Sequence, residues 1–172
     1  NLSISYTTRE KRFNEIHTKD YYFVSNKKFK ELNKNKFFIE TAKVFNNYYG
    51  SPYKNIKDSF KKNKHILFDI DWQGAKKLRK KFQKADIVDF FILPPNKKEL
   101  KRRLLKRGRD NTQEINLRLS LALEEMRHYN EYKYVIINEN IKETVNKLIK
   151  IIEYQTLIEK NNQILMKNLK KI

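Results

Sequence analysis

The sequence predicts an α/β fold, a parallel sheet flanked by helices, and three observations carry that expectation. Apolar runs at 65–71, 87–93 and 134–137 alternate with segments of helical periodicity, as in a sheet with crossover helices. Each run is continuous rather than alternating, the pattern of a buried parallel strand. The segment before Pro52 instead interleaves short aromatic strands with one helix, and reads as an insertion carrying a small mixed sheet.

Taken in order, Leu2–Tyr6 alternates as a strand and Tyr21–Val24 is a short aromatic one. Ser25 or Asn26 caps a helix running to Asn33. Phe37–Phe45 reads as strand, ending in the turn-like stretch Asn46-Asn47-Tyr48-Tyr49-Gly50-Ser51. Pro52 suits a first helical turn, and that helix continues to Lys62. After the strand His65–Asp71, a helix following Gly74 places Ala75, Leu78 and Phe82 on one face. The strand Ile87–Leu93 stops at Pro94-Pro95. Helix returns over Asn96–Arg107, breaks at Gly108 and resumes over Thr112–Arg127. Tyr134–Ile137 is the last strand, before a helix with Ile141, Val145, Leu148 and Ile152 on one face.

At 172 residues the chain is read as one domain. It lacks any run of eighteen apolar residues, so no membrane span is expected. With no cysteine, disulfides and thiolate metal sites are excluded, and a cytoplasmic location is expected. The net charge of +19 raises nucleic acid as a partner. However, the lysines are spread along the chain rather than gathered in a stripe, which favours a composition bias over an RNA surface.

Arginine is distributed differently. Of nine arginines, Arg9 and Arg12 form one group, while five fall between Arg102 and Arg118. A guanidinium grips phosphate through two bonds, which an ammonium cannot do. Two groups therefore suggest two phosphate-bearing ligands. Arg103 and Arg107 stand one helical turn apart beside Gly108, a build suited to a mobile lid as well as to a solvated basic helix.

Asp69 and Asp71 lie at the carboxyl end of an apolar strand, where doubly wound sheets bind ligands. A helix cap plus a solvated loop acid is the alternative, and Trp72-Gln73-Gly74 tilts the choice towards a site because glycine admits close approach. Glu40 follows Phe38-Ile39. It could face solvent, or accept from the paired N–H donors of guanine that adenine lacks. Tyr21, Tyr48, Tyr49 and Ser51 add hydroxyls, or are core residues. His17, His65 and His128 lack metal-ligand spacing.

These motifs together resemble the guanylate kinase family. The matching pieces are Ser3-Ile4-Ser5-Tyr6-Thr7-Thr8-Arg9 with Arg12, Asp20-Tyr21-Tyr22-Phe23-Val24, Phe38-Ile39-Glu40 and Asn47-Tyr48-Tyr49-Gly50-Ser51. Further on come Leu67-Phe68-Asp69-Ile70-Asp71-Trp72-Gln73-Gly74, Phe91-Ile92-Leu93-Pro94-Pro95, Arg103-Leu104 with Arg107-Gly108-Arg109, and Val135-Ile136-Ile137-Asn138. They stand in family order and cover almost the whole chain.

The resemblance implies a P-loop-kinase-like fold moving the γ-phosphoryl of ATP to GMP, with Mg²⁺ accompanying ATP. It implies that Arg9, Arg12, Tyr21 and Tyr49 hold the GMP phosphate. Ser5, Glu40, Ser51 and Asp71 would read the guanine, with Gly50 allowing close approach. Arg107 and Arg118, helped by Arg103, would be the catalytic arginines closing over ATP. Asn138 would sit on the adenine side, and Asp69 near the magnesium water shell. The expected division is a GMP-binding region at 3–53, a core at 54–99 and 130–172, and a lid at 100–129. GMP and ATP are the expected partners, without nucleic acid or membrane, in a monomer or homodimer.

Two departures qualify this. The turn Phe13-Asn14-Glu15-Ile16-His17-Thr18 lacks the family's glycines, although Asn14 could still take a left-handed conformation. The family's opening strand, phosphate loop and helix should precede Leu2, and no Gly-x-x-x-x-Gly-Lys-Ser/Thr occurs in these residues. A partial sequence is therefore expected, binding GMP weakly and without turnover by itself. A binding module without catalysis is the alternative; retention of both arginine groups favours the enzyme.

Overall fold

The computed structural model describes residues 1–83, 86–106 and 112–169. The chain forms two compact units, 1–83 and 84–172. The first contains β1 (Tyr6–Thr7), β2 (Tyr22–Phe23), α1 (Asn26–Lys34), β3 (Phe38–Val44), β4 (Asn47–Pro52), α2 (Tyr53–Lys61) and α3 (Trp72–Lys81). The second contains β5 (Phe90–Leu93), α4 (Lys97–Lys106), α5 (Thr112–Met126), β6 (Tyr134–Ile137) and α6 (Ile141–Leu169).

In the first unit the four strands lie in the order β2-β1-β4-β3. β1 runs parallel to β2 and antiparallel to β4, so the sheet is mixed, as expected. The stretch 47–51, expected as a turn, is strand. The turn is confined to Phe45 and Asn46, both at positive φ (46° and 64°), between the paired residues Val44 and Asn47. Two left-handed residues match the right-handed twist of a two-residue hairpin. Asn47 Nδ2 secures the turn through the Phe45 carbonyl at 3.0 Å.

Leu2–Tyr6 is strand only at its ends. Leu2 bridges to Leu67 in parallel, whereas Tyr6 and Thr7 pair with β2 and β4. The alternation is inverted: Ser3, Ser5 and Thr7 are buried while Leu2 is half exposed. The run 65–71 likewise forms a single bridge rather than a long buried strand. Ile66, Phe68 and Ile70 turn inward onto the core of Ile39, Ile56 and Leu78, and Leu67 turns outward. Helix α3 starts at Trp72, before Gly74, because Asp71 caps it by accepting from the Gly74 N–H at 2.9 Å. Phe82 falls just beyond its end and still packs on the core.

In the second unit β5 and β6 are parallel, pairing Phe90–Leu93 with Tyr134–Ile137. The expected strand from Ile87 is shorter because β6 offers only four residues to pair. Ile136 is buried, but Ile92, Val135 and Ile137 are exposed, so each strand is buried on one face within the unit. Of the expected core stripe on α6, Ile141, Val145 and Ile152 are exposed. Thr144 is the buried residue of that turn, donating to Asn138 Oδ1 at 3.1 Å. Gly108 and its neighbours lie outside the described residues, as does the expected break there.

Gly50 illustrates how tightly the first sheet is packed. A Cβ there would stand 2.9 Å from two Phe38 ring carbons and 3.2 Å from the Phe29 ring. Those rings are already stacked at 4.7 Å. Gly50→Ala is expected to destabilise the fold by about 1–3 kcal/mol through overpacking. A urea midpoint equal to wild type would contradict this.

Candidate active site

Two groups of side chains converge on the first unit's sheet. The first is built around Glu40, in the middle of β3 and 4% exposed. Glu40 Oε1 accepts from the Ser51 N–H at 3.0 Å. Ser51 Oγ lies 3.2 Å from Ser5 Oγ, so β3, β4 and the segment before β1 share one buried polar network. The inverted alternation of the N-terminal strand explains how Ser5 arrives there. Gly74 completes the enclosure: a Cβ at that position would sit 2.7 Å from Glu40 Oε2. The close approach expected at this glycine is made by Glu40.

Asp71 stands at the head of α3, where Gln73 Nε2 also donates to it at 2.9 Å. Burial raises the pKa of both carboxyls above the ordinary range. For Glu40 the Ser51 hydrogen bonds oppose that shift, and the charge of Asp71 adds to it. For Asp71 the Gly74 N–H and Gln73 oppose it. Asp71 is thus both a helix cap and a member of this group. Asp69, two residues earlier, is exposed and does not join it.

The second group surrounds Arg9. Its guanidinium lies 5.5 Å from the Tyr21 ring centroid and 5.7 Å from that of Phe23. Tyr21 and Tyr49 meet edge to face at 6.0 Å. Burial raises the Tyr21 pKa, with further contributions from the charge of Asp69 and from Tyr49. Asp69 therefore acts electrostatically on Tyr21.

Sequence reasoning missed Glu15. It accepts from Arg9 Nη2 at 2.7 Å and from the Arg12 backbone N–H at 2.8 Å, and its Oε1 is 3.7 Å from Arg12 Nη1. The bond from Arg9 holds the Glu15 pKa below the ordinary range, against a burial penalty. The available signal was an acid three residues after Arg12, in a loop judged by its lack of glycine. The left-handed residue of that loop is Thr18 (φ 72°), not Asn14. Asn14 is held inside the turn closed by Glu15 N–H to the Arg12 carbonyl, which requires no positive φ.

The remaining predicted residues belong to the second unit. Arg103 donates to Glu99 at 2.7 Å and to the Asn138 carbonyl at 2.8 Å, joining α4 to the end of β6. Glu99 also accepts from Nε and Nη2 of Arg102, and its pKa is lowered to about 2 by Arg102 and then Arg103. Arg118 is half-buried on α5 and makes contacts of its own. Arg107 lies outside the described residues.

Comparison with known proteins gives the family of the chain. A family model described as guanylate kinase matches residues 1–155. The guanylate kinase of Blochmanniella pennsylvanica is 50% identical over 139 residues, 81% of this chain and 65% of the relative. That of Buchnera aphidicola subsp. Acyrthosiphon pisum is 44% identical over 99% of this chain and 83% of its own length. The chain thus spans about two thirds to four fifths of these relatives. In structure, guanylate kinase from Anaplasma phagocytophilum matches with a TM-score of 0.77 and 39% identity, over 90% of this chain and 75% of that one. A mixed α/β fold, two polar groups on one sheet and this extent of identity lead to one conclusion: the chain belongs to the guanylate kinase family.

Proposed function

We propose that this chain takes GMP as phosphoryl acceptor and ATP as donor, giving GDP and ADP. The observation that carries the reading is the buried Glu40, a carboxylate enclosed by Ser51, Ser5 and Gly74 with Asp71 nearby. A buried acceptor of this kind suits the paired N1 and N2 donors of guanine. Arg9, with Tyr21, Tyr49 and the more exposed Arg12, takes the phosphate. In this reading Gly50 keeps β4 close to the aromatic cluster, so that Tyr49 and Ser51 serve the two ends of one nucleotide.

The donor side consists of Arg103, Arg107 and Arg118, which neutralise the phosphates of ATP, and Asn138, beside its adenine. Mg²⁺ arrives with ATP as part of the co-substrate. Among the described residues no three acids or histidines gather into a cage. That suits an ion held mainly by phosphates and water, with Asp69 facing its water shell. Transfer then needs in-line placement and charge neutralisation rather than a strong base. Residues 3–53 bind the acceptor, 100–129 form the lid, and 54–99 with 130–172 form the core of a single domain. A cytoplasmic monomer or homodimer without nucleic acid or membrane partners completes the proposal. No helix among the described residues is long and apolar enough to cross a membrane.

Calorimetric titration tests the reading. GMP is expected to bind and AMP to bind more weakly; absence of GMP binding would overturn it. Arg9→Ala is expected to weaken GMP by at least about tenfold, as for loss of a charge-assisted bond. Guanosine, which lacks the phosphate, should bind the two proteins equally.

A pH signature follows from Glu40. Its folded pKa is raised above 4.5, so at pH values between the unfolded and folded values the folded state retains a proton that the unfolded chain has released. Stability is fullest below the unfolded value and is lost as pH rises through the folded one. Glu40→Gln should therefore raise the Tm at pH 7, with the gap over wild type closing towards about pH 4. Glu15, whose pKa is lowered, acts in the opposite direction but equally in both proteins. A gap that widens on acidification would contradict the assignment.

A further inference from the structure

The free edge of the first unit's sheet is closed by side chains. β3 is the last strand in the order β2-β1-β4-β3, and an open edge normally presents unpaired backbone groups. Here α3 runs antiparallel to that edge and reaches it with every fourth residue. Gln73 Nε2 donates to the Lys43 carbonyl at 3.2 Å, Lys77 Nζ to that of Thr41, and Lys81 Nζ to that of Ile39 at 2.6 Å. Four residues of helix advance about 6 Å and two residues of strand about 6.6 Å, so the two periods stay in step over three rungs.

This ladder has a consequence for the site. Glu40 lies on the strand between the Ile39 and Thr41 rungs, and Asp71 caps the helix two residues before Gln73. Gln73 Nε2 serves both ends, since it also donates to Asp71 Oδ2 at 2.9 Å. Gly74, one residue on, is the wall against Glu40 Oε2. Sliding α3 by one rung would carry Asp71 about 6 Å along β3.

We infer that Gln73, Lys77 and Lys81 are positioning residues for nucleobase selectivity: their ladder fixes α3 against β3 and so sets the spacing of Asp71 from Glu40. The inference rests on the proposed reading of guanine by those two carboxyls. None of the three side chains is assigned a contact with the nucleotide. Their effect passes through Glu40 and Asp71 alone.

The test measures affinities for GMP, IMP and guanosine by calorimetry in wild type, Gln73→Met/Lys77→Met, and Gln73→Met alone. IMP lacks the exocyclic amine, so the GMP-to-IMP ratio reports the carboxyl geometry, and the GMP-to-guanosine ratio reports the phosphate clamp. The double variant is expected to lose about tenfold in the first ratio while keeping the second, because an amine-reading site discriminates only when its acceptors are correctly spaced. Lys77→Arg, which keeps a long cationic donor, should retain wild-type selectivity. If the double variant does not fold, Gln73→Met decides the matter, with a smaller loss in the same direction. An unchanged GMP-to-IMP ratio, or equal losses in both ratios, would overturn the inference. Glu40→Gln separates the two levels. If it retains full selectivity, or if wild type has none, the guanine reading itself fails and the ladder's proposed role falls with it.

Discussion

Everything in the first unit is arranged around one buried charge. Glu40 lies where a sheet would ordinarily place an apolar residue, and removing a carboxylate from water is costly unless hydrogen bonds replace the lost hydration. The Ser51 amide supplies one such bond, and the contact between Ser51 and Ser5 extends the network to the N-terminal segment. A glycine at 74 follows from the same constraint, because any side chain there would collide with the carboxylate. Burial, with a further contribution from the charge of Asp71, raises the pKa beyond what the Ser51 hydrogen bonds offset.

The arginine cluster follows a complementary rule. Arg9 is little exposed, yet its charge is balanced by Glu15 and it lies over the rings of Tyr21 and Phe23. The ion pair and the two rings restrict the rotamers open to the guanidinium. The lysines that make up most of the net charge of +19 are spread along the chain, whereas Arg9 is held by a specific partner.

Much of this was legible in the sequence, for identifiable reasons. Glu40 and Arg9 stood out because an acid after an apolar pair, or an arginine in a lysine-rich chain, departs from its background, whereas Ser51 and Tyr21 were singled out by the family resemblance. Helices α1 and α2 were legible through Ser25 and Pro52, whose effects are local. What escaped depends on tertiary register. Asn47-Tyr48-Tyr49-Gly50-Ser51 has turn composition, and only pairing with β1 and β3 makes it a strand. Phe45, a poor turn residue by propensity, is held left-handed by the hairpin on either side. Glu15, Glu99 and the rungs at 73, 77 and 81 look like ordinary surface polar residues until their partners, some up to 42 residues away, are known.

The pairing pattern also orders the events of folding. β3 and β4 form a hairpin closed by two residues, a microsecond process in general. β1 instead docks on β4 by joining Tyr6 to Gly50, and must close a long loop before gaining any contact. The Glu40–Ser51 contact lies within that hairpin, whereas Ser5 and Arg9 are brought to it by β1. Neither polar group is therefore complete until the same long loop has closed.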